Sequence, residues 1–362
     1  ICAAISVMTG SSWTTIATIG IALLGIGKAQ GFHEGWIAGA IISGAYFGDK
    51  ISPMSETTVL ASSTTQTPLF THIRYMLYTT TPAFVIALIV FTIKGLMNEP
   101  AGSENIGSFA DGLSNVFNIS PWLLVVPLLT GIMISRRLPA VVILFMATLM
   151  ACIAAIVSQT ALVDHIADSH FGTWMNRFRG VMIIVYGNTA IDTGIPALNE
   201  LVATRGMSGM MSTIWLIFCA MTLGASMSAA GMIESIMRMF IRITHSTFSL
   251  VASTVSVGLF MNIVCADQYL SIILTSNMFR EHYKKLGYES RLLSRTTEDA
   301  VTVTSVLIPW NTCGMTQSMV LGVSTLVYFP FCIFNYLSPV MSLIVAAAGY
   351  KIYRKSNQDV KE

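Results

Sequence analysis

The sequence predicts an all-α, polytopic membrane protein built from two related halves, each with a broken helix. Three observations carry that prediction. Of 362 residues, 54% are hydrophobic and only 10% charged, against about 25% charge in a soluble domain. Apolar runs recur at the length of a membrane crossing, about 20 residues. The few charges inside this pattern sit beside glycines, prolines and hydroxyl residues, where an apolar helix would be interrupted.

Composition also excludes classes. A net charge of +2 is too small for a nucleic-acid binder. The six cysteines stand singly, mostly in apolar runs, with no ligand spacing, so neither a disulfide frame nor a metal site is implied. No nucleophile–base pair, zinc-helix motif or phosphate loop points to an enzyme. The histidines fall in polar connections. The chain opens on Ile-Cys-Ala-Ala without a basic leader, which leads us to expect further natural sequence upstream.

Taken in order, residues 1–26 can span, but their centre is Thr-Gly-Ser-Ser-Trp-Thr-Thr, which places Ser11, Ser12 and Thr14 at membrane depth. Residues 28–34 form a turn. Residues 36–60 hold the most unusual stretch, residues 44–60: Asp49, Lys50 and Glu56 lie among Ser52, Ser55, Thr57 and Thr58, and Gly48 and Pro53 interrupt the helix. Broken helices at membrane depth persist where they line a site, so an ion-coordinating break is one reading and a polar surface loop the other. Residues 75–95 span, with a kink expected at Pro82. Residues 98–118 read as an acidic connection carrying Glu99, Glu104 and Asp111. Residues 121–134 and 138–157 are plain spans joined at Arg136 and Arg137; the basic junction is placed inside and the acidic connection outside.

Residues 158–179 are amphipathic. Residues 182–201, with Asn188, Asp192 and Pro196, suit an interfacial or re-entrant segment. Residues 212–233 span with small residues for close packing, and residues 238–245 are a basic turn. Residues 248–278 are apolar but interrupted by Asn262, Asp267 and Gln268. After the charged loop at residues 280–295 comes a second polar stretch, residues 296–316, carrying Glu298 and Asp299. Residues 319–350 are apolar and kinked at Pro330 and Pro339.

An internal repeat organises these pieces. Asp49 and Asp299 are 299 − 49 = 250 apart, as are Tyr78 and Tyr328. Each half then reads as a polar-centred segment, a charged turn, an Asp-bearing broken segment and a kinked span. This divides the chain into a first repeat (1–97, expected to lack its N-terminal helix), scaffold and connecting segments (98–209), a second repeat (210–350) and a polar tail (351–362). Paired broken helices point to a transporter with its site at the repeat interface.

The strings Thr-Gly-Ser-Ser-Trp-Thr-Thr (9–15), Gly-Ala-Tyr-Phe-Gly-Asp-Lys-Ile-Ser-Pro-Met-Ser-Glu-Thr-Thr (44–58), His-Ile-Arg-Tyr-Met-Leu-Tyr-Thr-Thr (72–80) and Ile-Pro-Trp-Asn-Thr-Cys-Gly (308–314) together resemble the NhaC-type sodium/proton antiporter family. That resemblance implies membership of the ion-transporter superfamily, inverted repeats with re-entrant hairpins, and a bacterial-type cytoplasmic membrane location. It implies exchange of Na+ for H+ by alternating access. The alternative is sodium- and proton-coupled exchange of a small organic acid such as malate or lactate. The family's Ser-Asp-Thr-Thr-Asn is here Ser55-Glu56-Thr57-Thr58-Val59, a departure that bears on stoichiometry or substrate choice.

Sodium requires several oxygen ligands. Asp49 with Ser52, Thr57 and Thr58 offers one set, and Asp299 with Thr302, Thr304, Asn311 and Thr312 offers another. The candidate Na+ ligands are Asp49, Thr57, Asp299 and Asn311. Glu56, Asp267 and Gln268 are further candidates, and Ser11, Ser12, Asn311 and Thr312 would serve a carboxylate substrate. Lys50 is expected to pair with Glu56 or Asp49, or to snorkel. No cofactor is expected beyond the transported ions; the partners are lipid, Na+, H+, a small carboxylate in the alternative reading and, as an open arrangement, a second copy of the chain.

Overall fold

The computed structural model describes residues 1–97, 103–136, 140–168, 172–195, 198–199, 202–204, 206–232, 235 and 246–354. Glu99, Arg137, Pro196, the basic turn at 238–245 and most of the polar tail lie outside the described residues. Among those described the regular structure is helical; the only bridges are the isolated pairs Thr189–Thr204 and Tyr288–Arg354.

The chain divides into two units. One comprises Ile1–Leu24, His33–Asn98 and Trp215–Glu362, the other Gly25–Phe32 and Glu99–Ile214. Four described helices are long and apolar enough to cross a membrane: Ser12–Ala29, Leu69–Met97, Gly206–Met227 and Thr247–Val264. Three bent pairs, at 96°, 99° and 53°, add up to three more if each is one broken span. The protein is an integral, multi-pass membrane protein.

In the first unit, α1 (Cys2–Thr9) stops at Gly10, whose φ of +67° is a conformation L side chains avoid. A Cβ there would also lie 2.7 Å from the Met54 backbone. The chain restarts in α2 (Ser12–Ala29), which carries a π turn at Ile16–Gly20. α3 (Glu34–Ile51) packs closely on α1, because Gly48 has no Cβ to strike the Ala3 carbonyl and the Ser6 side chain. It ends before Pro53, and α4 (Glu56–Thr64) follows. α5 (Leu69–Met97) runs continuously through Pro82, whereas Pro330 lies in the bend where a kink was expected.

The second unit holds α6 (Ser103–Val116), α7 (Val125–Ser135), α8 (Ala140–Ser158), α9 (Thr160–Ala167) and α10 (Thr173–Tyr186). The expected acidic connection at 98–118 is largely the helix α6: its Gly and Ser residues are diluted by Ile106, Phe109, Leu113 and Val116, spaced three and four apart. Beyond α10 the chain leaves helical geometry through Asp192, whose carboxylate accepts from Gly194 N at 2.9 Å and Asn199 Nδ2 at 3.0 Å.

α11 (Gly206–Ala229) leads to α12 (Thr247–Val264), which breaks at Cys265 and Ala266 before α13 (Gln268–Lys285). α14 (Ser290–Thr297) passes into a π turn at Glu298–Thr302 and a 3-10 turn at Ser305–Leu307. α15 (Thr312–Leu321), the short α16 (Thr325–Tyr328) and α17 (Ile333–Ala347) complete the chain.

The helices repeat at a register different from the one expected. α13, α14, α15 and α16 each begin 256 residues after α2, α3, α4 and α5: 268 − 12, 290 − 34, 312 − 56 and 325 − 69. An offset of 250 aligns Asp49 with Asp299. The helix starts instead align Asp49 with Ser305 and Asp299 with Ser43. The two aspartates occupy different places in a common frame. The halves also interlock: α4 packs on α13, and α15 packs on the π turn of α2.

Candidate functional site

Each post-break helix opens on a side-chain cap. Ser11 accepts from Thr14 N at 3.2 Å and Ser55 from Thr58 N at 3.4 Å. Asp267 accepts from Leu270 N at 2.9 Å, and Asn311 from Cys313 N at 3.1 Å. These side chains satisfy amides that a helix start leaves unpaired. Within each half the two breaks meet. Ser52 donates to the Val7 carbonyl at 2.8 Å. In the other half Thr312 N donates to the Ala266 carbonyl at 2.8 Å, and Asn311 Nδ2 donates to the Asn262 carbonyl at 3.0 Å.

Lys50 and Asp299 form an ion pair in which both side chains are 0% exposed. Lys50 also donates to Ser338 Oγ at 2.8 Å, and Ser342 donates to Asp299 Oδ2 at 2.6 Å. Lys50 thus joins neither Glu56 nor Asp49, and it does not snorkel. It lies on the last turn of a helix held against the second half, so the nearest compensating charge comes from there. Asp299 meets none of Thr302, Thr304, Asn311 and Thr312. The π turn points it at α17, while Asn311 and Thr312 lie beyond the break.

Asp49 is buried and accepts from Ser12 Oγ at 2.7 Å. The Ser55 hydroxyl faces the same carboxylate and bonds Thr57 Oγ1 at 3.0 Å. Thr57 Oγ1 in turn lies 3.4 Å from Glu298 Oε1. The other Glu298 oxygen is buried with no partner among the described residues. The Thr302 hydroxyl, one turn along from Glu298, is likewise buried with no partner among the described residues. Asp49, Ser55, Thr57, Glu298 and Thr302 therefore bring oxygens from both halves together, and neither carboxylate has an ion-pair partner among the described residues.

The remaining candidates lie elsewhere. Glu56 is exposed and accepts from the Tyr269 hydroxyl at 2.9 Å. Ser52 faces α1, and Thr58 donates to the Lys50 carbonyl at 3.0 Å. Thr14 donates to Ser11 Oγ at 3.1 Å. Gln268 Nε2 donates to the Thr302 carbonyl at 2.8 Å, and Thr312 lies 3.3 Å from Asp267 Oδ2. Sequence reasoning placed Glu298 at membrane depth but chose its neighbour Asp299 as the ligand. The signal that separates them is Lys50, which can neutralise only one of two adjacent carboxylates.

Interlocked broken helices, a buried ion pair and a second, unneutralised oxygen cluster define a secondary active transporter. The profile of the Na+/H+ antiporter family matches residues 44–350. The chain is 35% identical to the Na(+)/H(+) antiporter NhaC of Alkalihalophilus pseudofirmus over 99% of its own length and 74% of the relative's. It is 33% identical to NhaC of Bacillus subtilis over 95% of its length and 73% of the relative's. It is 32% identical to the malate-2H(+)/Na(+)-lactate antiporter of Bacillus subtilis over 100% of its length and 74% of the relative's. The chain belongs to the Na+/H+ antiporter family, and its resemblance is to the NhaC type.

Proposed function

We propose that this protein exchanges Na+ for H+ across the cytoplasmic membrane, with Asp49 and Glu298 as the groups that carry either ion. The observation behind this reading is the contrast between two buried carboxylate sites. Asp299 already has a cation, the Lys50 ammonium. Asp49 and Glu298 have hydroxyl neighbours, from Ser12 and Thr57, and no cation in ion-pairing contact among the described residues. A charged carboxylate out of water needs a positive partner, and this cluster can take Na+ through its oxygens or H+ on a carboxylate. Protonation removes the charge that holds Na+, so occupancy is exclusive.

The Lys50–Asp299 pair holds the two halves in one arrangement. Loading of the adjacent Glu298 with one ion or the other changes the field at that pair. Alternating access follows when the halves rearrange with either ion bound, but not with the cluster empty and charged. The organic-acid alternative has weaker support: Ser11 and Asn311 are occupied as helix caps, Ser12 by Asp49 and Thr312 by Asp267.

The test is flux in proteoliposomes with an imposed proton gradient and an internal pH dye. Addition of Na+ alone is expected to dissipate the gradient. A gradient untouched by Na+ but dissipated when malate or lactate is supplied would replace this reading with organic-acid exchange.

A further inference from the structure

At one end of α5 lies a pocket of about 290 Å³ that the ion cluster does not use, lined by Thr71, Arg74, Tyr75, Tyr78, Arg291 and Tyr353. Three arginines gather around it. Arg291 stacks on Tyr353, 4.3 Å from the ring centre, and lies 5.9 Å from that of Tyr75. One turn further along α14, Arg295 stacks on the same Tyr75 ring at 4.5 Å. Arg295 is fully buried, and its Nε, Nη1 and Nη2 have no hydrogen-bond acceptor among the described residues. Against these cations stands, among the described residues at the pocket, Glu289, which pairs with Arg291.

A buried guanidinium carries five donors and a charge it cannot lose. The Tyr75 ring supplies a partial negative face but accepts none of those N–H groups in its plane. Two guanidinia on one ring, with a third at the rim, leave excess positive charge in a concave and partly dry place. The tyrosine hydroxyls and Thr71 add polar contacts suited to oxygen. We infer that this pocket binds a phosphate-bearing anion, with Arg74 and Arg291 as direct ligands and Arg295 fixing the Tyr75 wall and the local field. Guanidinium forks match phosphate oxygens in pairs. The pocket sits within the first three turns of a spanning helix, beside the exposed aromatic residues Phe70, Tyr78 and Tyr350. That is the level at which basic pockets between membrane helices meet lipid headgroups. A free phosphate compound would present the same chemistry.

The experiment uses the full chain in neutral detergent at fixed ionic strength and fixed Na+, with thermal unfolding as readout. Inorganic phosphate is titrated in one arm. Phosphatidylglycerol mixed micelles are titrated in a second, with phosphatidylcholine as the zero. The expected result is a saturable rise in Tm whose midpoint moves to about tenfold higher concentration in Arg291→Gln and in the rim variant Arg74→Gln, one charge-assisted contact being lost in each. A rise with phosphatidylglycerol alone assigns the site to a lipid headgroup; a rise with phosphate as well assigns it to a soluble anion. No rise in either arm, or a rise that both variants keep at the wild-type midpoint, overturns the proposal.

Discussion

The first half from the start of α3 to the start of α4 and the second from the start of α14 to the start of α15 have the same length, 22 residues (56 − 34 and 312 − 290). They unwind at different points. α3 stays α-helical for 18 residues and breaks only at Ser52. α14 is α-helical for 8 residues and then widens into its π turn at Glu298. Composition accounts for the difference. α3 is rich in Gly and Ala, which pack closely without χ1 cost, whereas residues 296–304 hold six β-branched residues among nine, a run that strains an α-helix. One frame therefore presents charge at a helix end in one half and in mid-helix in the other. That offset lets Asp299 meet Lys50 while Glu298 meets the Asp49 cluster. Two strictly equivalent halves would have placed two like carboxylates in like positions, with no difference between a paired and an open site.

Breaking the paired side should have the largest effect on stability. Asp299→Asn leaves the Lys50 ammonium buried without a counter-charge and is expected to cost about 3–5 kcal/mol, read as a fall in thermal stability in detergent. The double change Lys50→Met with Asp299→Leu should recover most of that loss while transport stays absent. If the double variant is as unstable as the single one, the cost does not come from the orphaned charge.

Breaking the open side should spare stability and abolish flux. Asp49→Asn and Glu298→Gln keep the side-chain shape and remove the titratable charge, so both are expected to fold normally and to lose Na+-dependent proton movement in proteoliposomes. Normal flux in Glu298→Gln would return the ion site to Asp299. Thr57→Val keeps volume but removes the oxygen between the two carboxylates. A weakening of Na+ binding by roughly fivefold to tenfold is expected from one lost contact of about 1 kcal/mol, measured as a shift in half-saturating Na+.

The smallest effect compares the caps. Ser11→Ala should cost about 1 kcal/mol of stability as a lost cap, and Asn311→Ala about 1 kcal/mol or more beyond that, since its amide also bonds the buried Asn262 carbonyl. Loss of Na+ binding in Asn311→Ala would restore it as a ligand.

Much of the frame was legible in the sequence, for reasons that can be named. Lipid as solvent selects long apolar runs, and hydroxyl, Gly and Pro residues at 9–15, 48–58 and 304–314 betray the breaks. The stretch at 98–118 reads as a connection from its Gly, Ser and acidic residues, yet Phe109, Leu113 and Val116 keep helical spacing within the helix Ser103–Val116. Identical letters, Asp49 with Asp299 and Tyr78 with Tyr328, repeat at 250 residues, whereas helix starts repeat at 256. Helix starts repeat through their caps, Ser11 with Asp267 and Ser55 with Asn311, which share function without identity. The oxygen chemistry near Asp49 was visible. The partner of Lys50 was not, because contact between residues 249 positions apart depends on how two halves interlock, and no local pattern encodes that.

The most direct test of exclusive occupancy at the Asp49–Glu298 cluster is sodium binding by calorimetry on the purified protein across pH. A proton that occupies the same carboxylate competes with Na+, so lower pH must weaken binding. Below the pKa of the cluster the apparent Na+ affinity should fall about tenfold for each unit of pH decrease if one proton competes, with a blurred slope if the two carboxylates titrate as a pair. In Glu298→Gln the pH dependence should become shallower, because one of the two titrating groups is gone. A wild-type affinity that stays flat from acid to alkaline pH would contradict shared occupancy and place Na+ and H+ at separate sites.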